Sequence, residues 1–349
     1  MSSWIKLLNR ECSLAFQVEV PLVNQSTLLK AIGIPINNFW CESITFGVYY
    51  KDFELKGLAE VIKNKIISDQ SFAKNNIADC YKLGDVLLKS SDIANPNKLN
   101  NFTNPDLLTL VNRFREAYLN FLPYLVYPHA IERYFMEIIS LELKDHLISI
   151  KKVVESDRIY EILTTPTIHE IDEQIDLLQV SIELKKHGLT QKIKKLIKEV
   201  KSKYDWQPFW TITAKSLTFD YFKNAVEALA DSNDNLIDEI ASINQGQEER
   251  KKNLLTVFKE IKAPKTLKAY VDLLQGYMYL RTYRKNIISK AHYLHIPLLF
   301  EVGKRMGIGS DITLISYEEM INFLKNEEIV SKKVIEERKE AWAVLSIDG

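Results

Sequence analysis

From Glu54 onward the chain carries its apolar residues almost throughout at helical period, and this feature limits the fold more than any other. "ELKGLAEVIKNKIISD" sets Leu55, Leu58, Val61, Ile62 and Ile66 on one side of a helix. "SFAKNNIADCYKLGDVLLKSSDIA" reads as a second helix, and "NPNKLNNFTNP" as a polar loop that leaves Pro105 in the first turn of a third. The stretch from Asp106 to Ile150 is long, apolar and helical, and Pro123 and Pro128 are expected to kink or split it. "TTPTIHEIDEQIDLLQVSIELKKHG" carries its own signals. Thr165 precedes Pro166, the first turn is acidic, and Gly188 follows a basic last turn. Thr218 is the expected N-cap of "TFDYFKNAVEALADS", and Ser316 with Glu319 spells a capping box.

The two ends read differently. "CSLAFQVEV" and "WCESITFGVYY" are rich in aromatic and β-branched residues and predict a small hairpin or meander, punctuated by Pro21, Gly33 and Pro35. The tail "AWAVLSIDG" reads as one strand and a turn with no partner left in the chain. The expected class is therefore mainly α, with a small β element at the N-terminus and a short terminal strand. The expected divisions are 1–52 for the β-containing element, 53–150 and 151–335 for helical subdomains, and 336–349 for the tail.

Composition narrows the function classes. Lys and Arg number 46 and so do Asp and Glu, so no basic excess points to nucleic acid. Only 11 glycines occur in 349 residues, and neither a G-x-G-x-x-G nor a G-x-x-x-x-G-K-[ST] is present. A nucleotide-binding domain within this chain is not expected. Cys12, Cys41 and Cys80 are scattered, which fits neither a disulfide framework nor a zinc pattern. A reducing cytoplasm is the expected setting. No secretory signal and no membrane span are expected either, because no apolar run approaches the roughly 18 residues a span needs.

One segment breaks the amphipathic pattern. When Thr266–Leu294 is wound as one helix, Leu267, Tyr270, Leu274, Tyr277, Met278, Ile288 and Ala291 share a broad apolar face. Arg281 and Arg284 fall within that face, while Lys268, Asp272, Gln275, Asn286 and Lys290 take the polar side. A buried guanidinium is costly unless paired. Two readings stay open: an internal pair with a carboxylate such as Glu301, or a cleft holding an anionic or polar ligand. His292 and His295 extend the same face. Without matching carboxylates they do not make a metal set, and none is expected.

Trp206, Phe209 and Trp210 in "YDWQPFW" surround Pro208 and read either as a pocket wall or, preferably, as a clamp of the loop onto the core. The lysine run "KKHGLTQKIKKLIKEVKSK" reads as a solvated amphipathic face, with Ile193, Leu196, Ile197 and Val200 as its stripe. Asp231, Asp234 and Asp238 read as acids at a helix start rather than as a Mg²⁺ cluster. No Ser-His-Asp, Cys-His or H-E-x-x-H arrangement is present, so no residue is assigned a catalytic role.

"LRTYRKNIISKAHYLHIPLLFEVGKRMGI" followed by "DITLISYEEMINFL" resembles the helical region of PEP-utilising phosphotransferases. This family includes phosphoenolpyruvate synthase, pyruvate phosphate dikinase and the rifampin-phosphotransferase-like enzymes. The family-like segment spans 280–325, just ahead of the place where such enzymes carry a mobile phosphohistidine domain. Arg281, Arg284, Glu301, Arg305 and Glu319 stand at its fingerprint positions. "HGLTQKIKKLIKEVKSKYDWQPFW" is similar to the family's segment ending in an aromatic loop, and "ERKEAWAVLSIDG" to its lead-in strand to the mobile domain. The resemblance covers about the last half of the chain. It implies a reaction carried through a phosphohistidine, with a nucleotide-binding domain charging a swivelling histidine. None of His129, His146, His169, His187, His292 or His295 lies in a Thr-Ser-His-type loop. The resemblance therefore implies an acceptor-side or linker part, whose nucleotide-binding and phosphohistidine domains are supplied by a partner chain or lost from this one, with ATP and Mg²⁺ acting only on those partner domains. The alternative is a stand-alone helical binding or regulatory protein.

Overall fold

The computed structural model describes residues 4–8, 14, 38–42, 47–93, 96–167, 171–209, 214–232 and 235–346. The expectations that fall on "CSLAFQVEV", Pro21, Gly33, Pro35, His169, Trp210 and Asp234 lie outside these residues. The described chain is mainly helical with one small sheet, as the periodicity predicts.

Three strands open the described chain: β1 (Trp4–Leu8), β2 (Asn38–Glu42) and β3 (Gly47–Lys51). Helices α1 (Asp52–Ser68) and α2 (Phe72–Ser91) follow directly. The polar loop folds as a 3₁₀ turn over Pro96–Asn101 and buries Leu99. Thr103 then caps α3 (Asn104–Phe121): its hydroxyl accepts from the Asp106 amide, the Asp106 carboxylate accepts from the Thr103 amide, and Pro105 sits in the first turn. Pro123 begins α4 (Pro123–Ser149), so the long apolar stretch is split there, and Pro128 lies within α4.

Next come α5 (Ser156–Thr164), α6 (Asp172–His187), α7 (Gln191–Tyr204) and α8 (Phe219–Ser232). Helix α6 starts later than the Thr165–Pro166 signal suggests. Thr167 instead donates its hydroxyl to the side-chain oxygen of Gln275 on a distant helix, at 2.9 Å. Gly188 ends α6 at φ +65°, a conformation few side chains accept. The final helices are α9 (Leu236–Glu260), α10 (Lys265–Arg305), α11 (Tyr317–Asn326) and α12 (Lys332–Glu340). Asn235 caps α9 and Asp238 lies in its first turn, so these polar residues serve a helix start.

Helix α10, 41 residues long, is the spine. It packs against α2 on one side and α4 on the other. Helices α6, α7 and α8 form a satellite with its own apolar cluster of Val180, Ile193, Ile197, Val200, Tyr204, Phe222 and Val226. The isoleucine and valine positions of α7 face this cluster while its lysines face outward.

The tail corrects one expectation. Strand β4 (Trp342–Ser346) is not left unpaired: it lies antiparallel to β2, with Asn38 opposite Ser346 and Glu42 opposite Trp342. The sheet order is β1-β3-β2-β4. A lone strand leaves its backbone groups without ladder partners, and an open edge of β2 supplies them. No helix among the described residues is long and apolar enough to cross a membrane.

Candidate functional site

Helix α10 delivers the side chains singled out in the sequence, but the structure does not gather them. Arg284 is buried at 7% exposure, whereas the Arg281 side chain is 66% exposed. Both sit near the apolar face, and Arg281 lies on its flank, where a long stem carries the charged head out to water. There it meets Glu132 of α4 at 3.5 Å, the outer limit of a hydrogen bond.

Arg284 points into the seam between α10, α4 and β3. Its Nη1 donates to the Leu125 carbonyl at 3.0 Å. That carbonyl lies in the first turn of α4, one residue after Tyr124, whose carbonyl loses its helical partner to the missing N–H of Pro128. The Nε of Arg284 is buried without a hydrogen-bond partner among the described residues, as are Oε1 of Glu132 and the hydroxyls of Tyr124 and Tyr127. Burial pulls the guanidinium down to about 10, and the nearby Glu132 carboxylate opposes that shift. Burial also raises the Glu132 carboxyl, against the pull of Arg281 and Arg284. Tyr277 closes the seam by donating to the Asn76 side chain of α2. This is a cation in the core with a carboxylate near it but not bonded to it, which lies between the two readings the sequence left open.

His292 and His295 lie two and three turns further along α10, against α3. The His295 ring stacks on Phe114 at 3.7 Å between centroids and 15° between planes. The His292 ring lies 5.6 Å from that of Tyr118 and close to the Phe209 backbone. Burial drives the His292 ring down to about 3 and the His295 ring well below the ordinary histidine value. Both are neutral core rings at neutral pH. No group of three or more histidines, cysteines or carboxylates placed to hold a metal occurs among the described residues.

The aromatic loop clamps onto the same helix. Trp206 and Phe209 are buried. The Phe209 ring packs 4.9 Å from Tyr293, and the Lys290 ammonium lies 5.9 Å from the Trp206 ring. The Trp206 indole N–H donates to the Lys203 carbonyl at 2.7 Å. Trp210 lies outside the described residues.

The remaining fingerprint residues hold junctions. Arg305 donates to Glu301 (2.9 Å), Asn104 Oδ1 (2.9 Å) and the carbonyls of Leu99 (3.2 Å) and Phe102 (2.6 Å). It thereby ties the end of α10 to the 3₁₀ turn and the start of α3. Glu319 completes the Ser316 capping box and takes both nitrogens of Arg338 on α12, at 2.9 and 2.8 Å. These hydrogen bonds hold its carboxyl below the ordinary glutamate value although burial works the other way. Sequence reasoning missed Glu132, Asn76, Arg338 and Gln275. Gln275 sits on the expected polar side of α10 yet is buried, with its amide donating to the Leu163 carbonyl at 3.0 Å.

Searches against models of known protein families and against curated proteins returned no match for this chain.

Proposed function

We propose that the chain is the non-catalytic helical part of a phosphoenolpyruvate synthase-like phosphotransferase. It works with nucleotide-binding and phosphohistidine domains carried outside the described residues. The observation that supports this reading best is the use made of the fingerprint. Arg284, Arg305 and Glu319 each fasten one helix to a neighbour or to a turn, and Glu301 holds Arg305 in place from within the same helix, which is the work of a rigid frame against which a swivelling domain moves. ATP and Mg²⁺ then act on the partner domains, and the acceptor-side helices supply position rather than chemistry.

The test is recovery of the native protein from its source cells, followed by mass spectrometry and labelling with radioactive ATP or phosphoenolpyruvate. The expected outcome is a phosphohistidine or nucleotide-binding domain, in the same polypeptide or tightly bound, which takes the label while residues 1–349 take none. A stable monomer with no such domain would sink the proposal. One observation favours the second reading, a stand-alone binding or regulatory protein. Strand β4 closes a sheet with β2, which ties the described chain's two ends into one body.

A further inference from the structure

Away from the fingerprint, α5 and α6 flank α9, and Arg250 of α9 lies between them. Its Nε is buried and makes no hydrogen bond among the described residues. Other arginines are tied down: Arg305 and Arg338 as described above, and Arg113 to the Ser90 carbonyl at 3.1 Å. The guanidinium of Arg250 leans back over the preceding turn, where Gly246 has no side chain; a Cβ built there would stand 3.8 Å from Nη1.

Two adjoining cavities share Arg250. One, of about 270 Å³, runs toward α5 and includes Glu161, Thr165 and Asn253. The other, of about 440 Å³, runs toward α6 and includes Gln174, Ser242 and Gln247. Small-molecule sites begin at roughly 300 Å³, so this groove has the right scale. Its lining mixes apolar surface, from Ile162, Ile171 and Ile243, with polar side chains that both donate and accept. Arg158 also reaches the first cavity, but Glu155 at 2.7 Å and Glu260 at 3.1 Å already neutralise it. Among the described residues that leaves Arg250 as the lining cation with donors to spare. A half-sunk guanidinium fork matches the two oxygens of a carboxylate or phosphate.

We propose that this groove binds a small polar molecule through an oxyanion, carboxylate or phosphate, held by Arg250. Glu161 of α5, which lines the same cavity, selects a ligand that carries a hydroxyl or amine donor at its other end. The site lies on α5, α6 and α9, outside the 280–325 segment, so it stands apart from the proposed function.

The test uses the full chain with two probes: inorganic phosphate followed by ³¹P line broadening, and acetate followed by ¹H saturation transfer. At least one probe should bind saturably, with a Kd of roughly 1 mM for so small a ligand. Arg250→Gln should weaken binding at least about tenfold, the loss expected when a charge-assisted fork is removed. Glu161→Gln should tighten it by removing the like charge. Gly246→Leu should block it by filling the groove, with an unchanged far-ultraviolet helical signal, since leucine favours helix over glycine. Binding of phosphate alone assigns a phosphoryl ligand, and binding of acetate alone a carboxylic acid. No saturable binding of either probe would overturn the proposal. So would binding that Arg250→Gln and Gly246→Leu leave unchanged.

Discussion

At the scale of single residues, His129, His292 and His295 are neutral rings that the fold keeps from protonating. Burial holds His129 and His292 at about 3, with Arg284 adding its repulsion at His129. His295 is likewise held well below the ordinary histidine value, through burial, His292 and Arg113. The unfolded chain takes up a proton on each near pH 6.5, while the folded chain refuses it until far lower pH. This contribution to stability is therefore complete above pH 6.5 and is lost as the pH falls toward 3, at roughly 1.4 kcal/mol per pH unit for each histidine. The urea midpoint at pH 5 should lie below that at pH 7.5. In His295→Phe, which keeps a ring stacked on Phe114, the gap should narrow; an unchanged gap would place His295 in solvent. The burial of Arg284 was legible in the sequence because a 100° winding puts it among apolar residues. The exposure of Arg281 was not, since a residue on the flank goes inward or outward according to what packs beside it. Glu132, Asn76 and Arg338 were hidden for a further reason. They act through partners on other helices, and periodicity along one helix says nothing of its neighbour.

At the scale of elements, local signals were read well and non-local ones poorly. Thr103 and Ser316 close capping boxes because the residues concerned are three apart and need no third party. The start of α6 failed because a side chain of α10 claims Thr167. The end of α10 depends on a contact that no cap signal reveals. A Cβ at Gly303 would stand 2.5 Å from the Gly309 carbonyl oxygen and 2.8 Å from Ile312 Cβ. Backbone must move to accommodate it, so Gly303→Ala should cost about 1–3 kcal/mol, the usual penalty for overpacking. Gly276, on the same helix, is the control. There the added Cβ meets the Cδ1 tip of Ile77, which can swing aside, and alanine improves helix propensity by about 1 kcal/mol. Urea melts should show Gly303→Ala clearly weaker than Gly276→Ala; equal losses would mean that the α10 terminus is not packed against the turn at Gly309.

At the scale of the whole molecule, the sheet binds together segments that the sequence reading kept apart. Strand β4 was recognisable by its composition, but a five-residue strand does not announce its partner from the far end of the chain. Pairing to β2 buries Trp342 at 8% exposure and covers an edge that would otherwise stand open. Trp342 joins the edge of the main apolar cluster and Val344 packs against it, but the long helix α10 is packed chiefly against α2 and α4. Deleting residues 342–346 should therefore leave the far-ultraviolet helical signal nearly intact, while amide exchange in 38–42 accelerates and the protein associates more readily through the exposed edge. Unchanged exchange in 38–42 would mean that β2 draws its protection from β3 alone and that β4 only rests beside it. If instead the helical signal collapsed along with the sheet, the strand would be a clasp on the whole fold, and its removal would unfold α10 and α4 together.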